Sequence, residues 1–171
     1  MRKLLLKSLV QGPLTEAAPA ADDTALAELA QRLERAARRR LGRSLAIREV
    51  DAGSCNGCEL EIHAINNVLY DLERFGLRFV ASPRHADVLL VTGPVTQNMR
   101  VALERTYAAT PDPKWVVAVG NCARDGGVFA ASSACVGGVS RVVPVDLHIA
   151  GCPPTPQALL GGLLALVEKV L

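Results

Sequence analysis

From Leu45 onward the chain alternates short apolar runs with helical stretches, and four of its cysteines sit in glycine- or proline-bracketed loops that follow those runs. That rhythm is the pattern of an α/β fold built on a largely parallel, doubly wound sheet. Parallel strands point their carboxyl ends to one edge of such a sheet, so loops far apart in sequence converge there, and ligands bind in that crevice. Cys55 and Cys58 lie in DAGSCNGCELEI, after the run 45–50; Cys122 lies in GNCARDGG, directly after 114–119; Cys152 lies in IAGCPPTP, after 141–147.

The periodicity predicts strands over 45–50, 77–81, 86–92, 114–120 and 141–147, and helices over 57–74, 96–108 and 156–170. The last helix has Thr155 as its cap and Pro156 at its first position, and turns Leu159, Leu160, Leu163, Leu164 and Val167 inward. Upstream, Asp22 or Asp23 caps a helix that runs to about Leu41 and stops at Gly42, with Leu26, Leu29, Leu33 and Leu41 roughly on one face. That face either packs on its own domain or docks onto a partner. Residues 1–23 join the basic amphipathic segment MRKLLLKSLV to the helix-breaking GPLTEAAPAADD, which reads as an arm or linker. The expected organisation is therefore an N-terminal arm and helix over 1–44, suited to docking on a partner, followed by a single domain over 45–171.

A chain of 171 residues, half of them apolar, suits one domain with a real core. Its formal charge is only +2 and its six aromatic residues are not interleaved with basic ones, which argues against nucleic-acid binding. No apolar stretch approaches the ~20 residues of a membrane span. The start is a poor secretory signal, because Lys7 breaks its apolar run and no small-residue cleavage site follows; it suits either peripheral contact with a membrane subunit or disorder. Five cysteines cannot all pair within the chain, so metal binding or buried thiols are expected instead of a disulfide framework.

Cluster iron prefers thiolates, and four are the usual complement of a 4Fe-4S centre. The CxxC pair lets two thiolates reach neighbouring metal positions, with Gly57 relieving crowding where the backbone must pass close to inorganic sulfide. Gly120, Gly126 and Gly127 bracket Cys122, and Pro153, Pro154 and Pro156 stiffen the loop after Cys152. Two alternatives stay open on spacing alone. Four-cysteine zinc is one, although its ligands usually arrive as two close pairs. A redox-active CxxC is the other, opposed by Glu59 and Glu61, whose charge disfavours the reactive thiolate. Cys135, in SSACVGGV, lacks the strand-end setting and reads as a small buried thiol.

Taken together, GSCNGCELEI, SPRHADVLLVTGPVT, GNCARDGGVF and VPVDLHIAGCPPTPQALLGGLL closely resemble the iron-sulfur subunit of respiratory complex I and of the related membrane-bound nickel-iron hydrogenases, such as formate hydrogenlyase. The resemblance covers about Arg48 to Leu166. It implies a flavodoxin-like core carrying one 4Fe-4S cluster on Cys55, Cys58, Cys122 and Cys152. It also implies a large catalytic subunit (nickel-iron or complex I 49 kDa-like), a ferredoxin-like iron-sulfur subunit and integral membrane subunits as partners. The chain would then sit on the cytoplasmic side of the inner membrane, held peripherally as an electron-relay oxidoreductase subunit. The complex I subunit typically has two adjacent cysteines in the first motif. Cys55-Asn56-Gly57-Cys58 instead looks like the hydrogenase side, which leaves the corresponding quinone-reducing subunit of complex I, the NADH-quinone oxidoreductase, as the alternative. Glu61 falls where the family has an acidic residue and suits a proton or hydrogen-bond acceptor near the large subunit. His63 and His148 lie near the ligand loops in sequence and would tune the cluster if protonated close to it. The resemblance puts Arg84 and Thr92-Gly93-Pro94 near subunit contacts, where Arg84 either meets a partner carboxylate or caps local backbone.

Overall fold

The structure is a computed structural model and describes residues 23–68 and 70–170. The arm over 1–22, with its basic start, lies outside the described residues, as do the side chains of Leu26 and Leu41. Helix α1 (Asp23–Leu41) leads into β1 (Leu45–Asp51), α2 (Gly57–Ala64), β2 (Leu77–Phe79) and β3 (Val88–Thr92). The chain continues through α3 (Gln97–Ala109), β4 (Trp115–Val119), the short α4 (Gly120–Asp125), β5 (Leu147–Ile149) and α5 (Pro156–Val170).

Five strands form one sheet in the order β2-β1-β3-β4-β5, every neighbouring pair parallel. This is the flavodoxin-like doubly wound order, and it puts the topological switch point between β1 and β3. The two central strands are buried along their whole length, which is why VLLVT and WVVAV read as continuous apolar runs without alternation.

Alternate side chains of those strands feed two cores. On one face Leu45, Ile47, Val88, Leu90, Val117 and Val119 meet Ile62 of α2 and Leu160, Leu163 and Val167 of α5. On the other, Leu89, Val91, Val116 and Ala118 meet Leu103 of α3, Ala123 of α4 and Val139. Helix α1 joins the first core through Ala30, Leu33 and Ala37, with Leu29 packed beside them, and an Arg32–Glu168 ion pair at 3.2 Å ties it to α5. Its opposite side carries exposed Arg35, Arg38 and Arg39.

Two expected elements are corrected. The helix expected over 57–74 stops at Ala64: Asn67 turns its side chain to accept the Tyr70 N–H at 3.1 Å, Asp71 adopts a left-handed conformation, and only a 3₁₀ turn at Leu72–Phe75 follows. Local hydrogen bonding by asparagine competes with the helical ladder there. The strand expected over 141–147 begins only at Leu147. Pro144 cannot donate to a ladder, and Val139, in a 3₁₀ turn at Val139–Arg141, and Val143 beyond it are spent on the second core.

Candidate metal centre

At the carboxyl ends of β1, β4 and β5, the thiols of Cys55, Cys58, Cys122 and Cys152 line one cavity of about 100 Å³, with Gly93 and Gly151 passing between them. Each loop is held by its own bonds. Asp51 Oδ1 accepts the N–H groups of Gly53 and Ser54 at 2.7 and 2.8 Å, setting the first loop. Asn121 ties the second loop to the third: its backbone N–H donates to Gly151 O at 2.8 Å, and its Oδ1 accepts the Gly151 N–H at 3.2 Å. Asp125 Oδ1 takes the Gly127 N–H at 2.9 Å.

A Cβ on Gly57 would make only an ordinary 3.6 Å contact with Cys55 Sγ. One on Gly120 would stand 2.7 Å from Cys58 Sγ, and one on Gly127 would stand 2.8 Å from Cys122 Sγ, both at positive φ. Glycine at these two positions is what lets the backbone run directly behind two of the thiols.

Cys55 and Cys152 are exposed, while Cys58 and Cys122 are half-buried. Burial, then the charge of Glu59 and the other three thiols, pushes the Cys58 thiol up to about 12. Burial and the neighbouring Cys152 and Cys55 raise Cys122 as well, partly offset by a Val128 backbone hydrogen bond. Four thiolates in one cavity repel one another, so ionising all four calls for cationic charge among them, as a bound metal would supply. A raised Cys58 is the reverse of what a thioredoxin-like nucleophile requires. Among the described residues, no group of three or more His, Cys, Asp or Glu stands arranged to hold a metal ion. Four thiols with no nitrogen or oxygen donor among them are a set that either zinc or an iron-sulfur cluster takes.

The profile of the NADH ubiquinone oxidoreductase, 20 Kd subunit family matches residues 55–166, a span that starts at the first of these cysteines and includes all four. The chain belongs to that family. Among its relatives, the probable membrane-bound hydrogenase subunit mbhJ of Pyrococcus furiosus is 48% identical over 130 residues, covering 76% of this chain and 78% of the relative. Formate hydrogenlyase subunit 7 of Escherichia coli is 47% identical over 134 residues, covering 77% of this chain but 52% of the relative, so the chain spans about half of that protein. Among solved structures, a chain of the membrane-bound sulfane sulfur reductase, an archaeal respiratory membrane complex, superposes with a TM-score of 0.67 at 36% identity, covering 81% of this chain and 75% of that one. Family and relatives alike are subunits of oxidoreductase complexes, and iron-sulfur binding is expected for the family. Among the described residues, no helix is long and apolar enough to cross a membrane.

Around the centre of this 20 kDa-family chain, none of Glu61, His63, His148 or Arg84 lines the thiol cavity. Glu61 is half-buried on α2. His63 is exposed, and its Nε2 lies 3.7 Å from Glu49 Oε2 beside a separate cavity. His148 is exposed on β5, and Arg84 sits on the opposite rim of the sheet. Cys135 is half-buried rather than buried, its backbone bridges to Thr96, and it does not line the thiol cavity. The acidic residue that burial singles out is Glu59, 7% exposed, with both carboxylate oxygens buried and unpartnered. Its spacing to Ile62, three residues on, places both on the inward side of α2, a helical signal the sequence already carried.

Apolar side chains stand exposed beside the thiol loops: Leu60 two residues after Cys58, and Val128 and Phe129 after Cys122. Exposed apolar surface grouped around a functional rim marks a site of contact with another molecule.

Proposed function

We propose that this chain is the electron-transfer subunit of a membrane-bound nickel-iron hydrogenase or formate hydrogenlyase complex. In this reading it carries one 4Fe-4S cluster on Cys55, Cys58, Cys122 and Cys152, between the large catalytic subunit and a ferredoxin-like iron-sulfur subunit. The observation that carries the reading is the convergence of four thiols from three strand-end loops on one small cavity. When bound, such a cluster accepts and releases single electrons. The chain's own residues would fix it: the thiols as ligands, Gly120 and Gly127 as the space behind Cys58 and Cys122, and Asn121 and Asp125 as the bonds that hold two of the loops.

The exposed Cys55 and Cys152 and the apolar Leu60, Val128 and Phe129 favour a rim covered by the large subunit, which would exclude water there. The Cys55-Asn56-Gly57-Cys58 spacing and the hydrogenase and formate hydrogenlyase relatives favour this branch over a quinone-reducing complex I subunit. Residues 1–44 serve as the docking element, with α1 anchoring it on the domain over 45–171 through Ala30, Leu33 and Ala37. Attachment to the cytoplasmic side of the membrane would come through integral membrane partners.

The test is anaerobic purification with the neighbouring subunits, then iron and zinc analysis and low-temperature EPR after dithionite reduction. Wild type would be compared with Cys122→Ala and Cys152→Ala. About four irons per chain, with a reduced-cluster signal lost in both variants, supports the relay. Stoichiometric zinc with no signal overturns it.

A further inference from the structure

The amino-terminal rim of the sheet, opposite the thiols, holds another cavity, of about 300 Å³, lined by Arg43, Arg78, Arg84, His85 and Asp87 among others. Its charge is unbalanced. Asp87 is the acidic group that lines it, and that carboxylate is already taken: Arg43 grips it with both guanidinium ends, Nη1 standing 2.8 Å from Oδ2, and the Ala46 N–H donates to Oδ2 at 2.9 Å. Arg78 and Arg84 have no acidic partner among the described residues, and His85 is exposed beside them.

The presentation of these groups is built. Pro83–His85 forms a 3₁₀ turn capped by Ser82, whose Oγ accepts the Arg84 N–H at 3.4 Å and whose carbonyl accepts the His85 N–H at 3.1 Å. Arg78 projects from β2, the edge strand of the sheet. The cations therefore come from three separate elements: the loop before β1, strand β2, and the turn before β3.

Planar guanidinium forks match carboxylates and phosphates alike. Backbone bonding decides between them. Phosphate sites commonly aim free backbone N–H groups at the anion. Here the N–H groups of Arg84, His85, Ala86 and Asp87 are all bonded within the chain, to Ser82 Oγ, Ser82 O, Pro83 O and Ala46 O respectively. Recognition is left to long side chains spread around an opening wider than one anion. That suits several carboxylates on a polypeptide.

We propose that this rim docks an acidic segment of a neighbouring subunit, its carboxylates received by Arg78 and Arg84. The inference rests on membership of an assembly, and it is independent of what the thiols hold.

The test uses the purified complex. In the R78K/R84K variant the charges are kept but primary amines replace the guanidiniums, so a zero-length carbodiimide can join them to carboxylates in direct contact. Mass spectrometry should find these positions joined to Asp or Glu of another subunit. Replacing Arg84 by Glu should weaken retention of the chain in a salt gradient by about tenfold or more. Arg100→Glu, the same charge change on exposed α3, should elute as wild type. No crosslink at either position, or R84E retained like wild type, overturns the proposal. So does R84E-sensitive binding of inorganic phosphate or of anionic phospholipid vesicles with subunit retention unchanged. The R78K/R84K crosslink is read independently of whether R84E folds. Absence of the EPR signal in wild type would sink the relay while leaving the crosslink result standing.

Discussion

Adding one methyl group to this chain should have opposite effects at two glycines. Gly120 has φ +85 and its added Cβ would meet Cys58 Sγ at 2.7 Å, whereas Gly161, inside α5, has nothing within 4 Å of the new atom. At Gly120 the left-handed backbone alone costs about 1–2 kcal/mol for a residue with a Cβ, and forcing the thiol aside adds about 1–3 kcal/mol of overpacking. Gly120→Ala should therefore destabilise by about 2–5 kcal/mol. Gly161→Ala should stabilise by about 0.5–1 kcal/mol, because alanine loses less chain entropy in a helix. Urea denaturation of the two variants under anaerobic, reducing conditions measures the gap, expected at about 2.5–6 kcal/mol. Iron content of the assembled complex supplies the second readout, which should fall in G120A because Cys58 Sγ is displaced, and stay intact in G161A. Equal stability of the two variants would refute the steric reasoning. A destabilised G120A that keeps full iron would refute the link between Gly120 and Cys58.

In the cluster-free chain, Cys55 and Cys152 should alkylate with iodoacetamide well before Cys58, whose thiol is exposed less and pushed up to about 12; peptide mass spectrometry over time gives the order. Iron–sulfide reconstitution should be more complete at mildly alkaline than at neutral pH, since binding must displace the Cys58 proton, and iron yield against pH checks this. Arg43→Ala strips Asp87 of its bidentate partner while leaving the carboxylate 7% exposed, and should cost about 1–3 kcal/mol in urea unfolding, below the full penalty of a buried pair because Arg43 itself is half-exposed. Burial holds the Glu49 carboxyl above its ordinary 4.5, so the folded chain keeps that proton more tightly than the unfolded one. Its contribution is present below that value and lost as pH rises through the folded value, and Glu49→Gln should flatten this part of the stability–pH curve.

The parallel α/β architecture was legible because β3 and β4 are covered on both faces, and double coverage leaves an unmistakable apolar run. Convergence of the cysteine loops followed from strand direction alone. The β5 boundary was not legible: Val142, Val143 and Val145 look like strand, and only tertiary packing shows that Val143 serves the second core while Pro144 delays the ladder. Nor was the end of α2, where Asn66 and Asn67 override an otherwise helical pattern. At the site, the burial of Glu59 was not legible, since it depends on which face of α2 is turned inward. The Arg43–Asp87 grip joins residues forty-four positions apart and has no local signature.

The complete burial of β3 and β4 also bears on how such a chain can be altered. A strand with no exposed side chain has nowhere to carry a difference in function, so these two strands serve as frame and leave such differences to the elements and loops around them. The loop between Asp51 and Gly57 could thus be replaced by one with adjacent cysteines as a graft onto an unchanged frame, provided that the Asp51 anchor for Gly53 and Ser54 is kept.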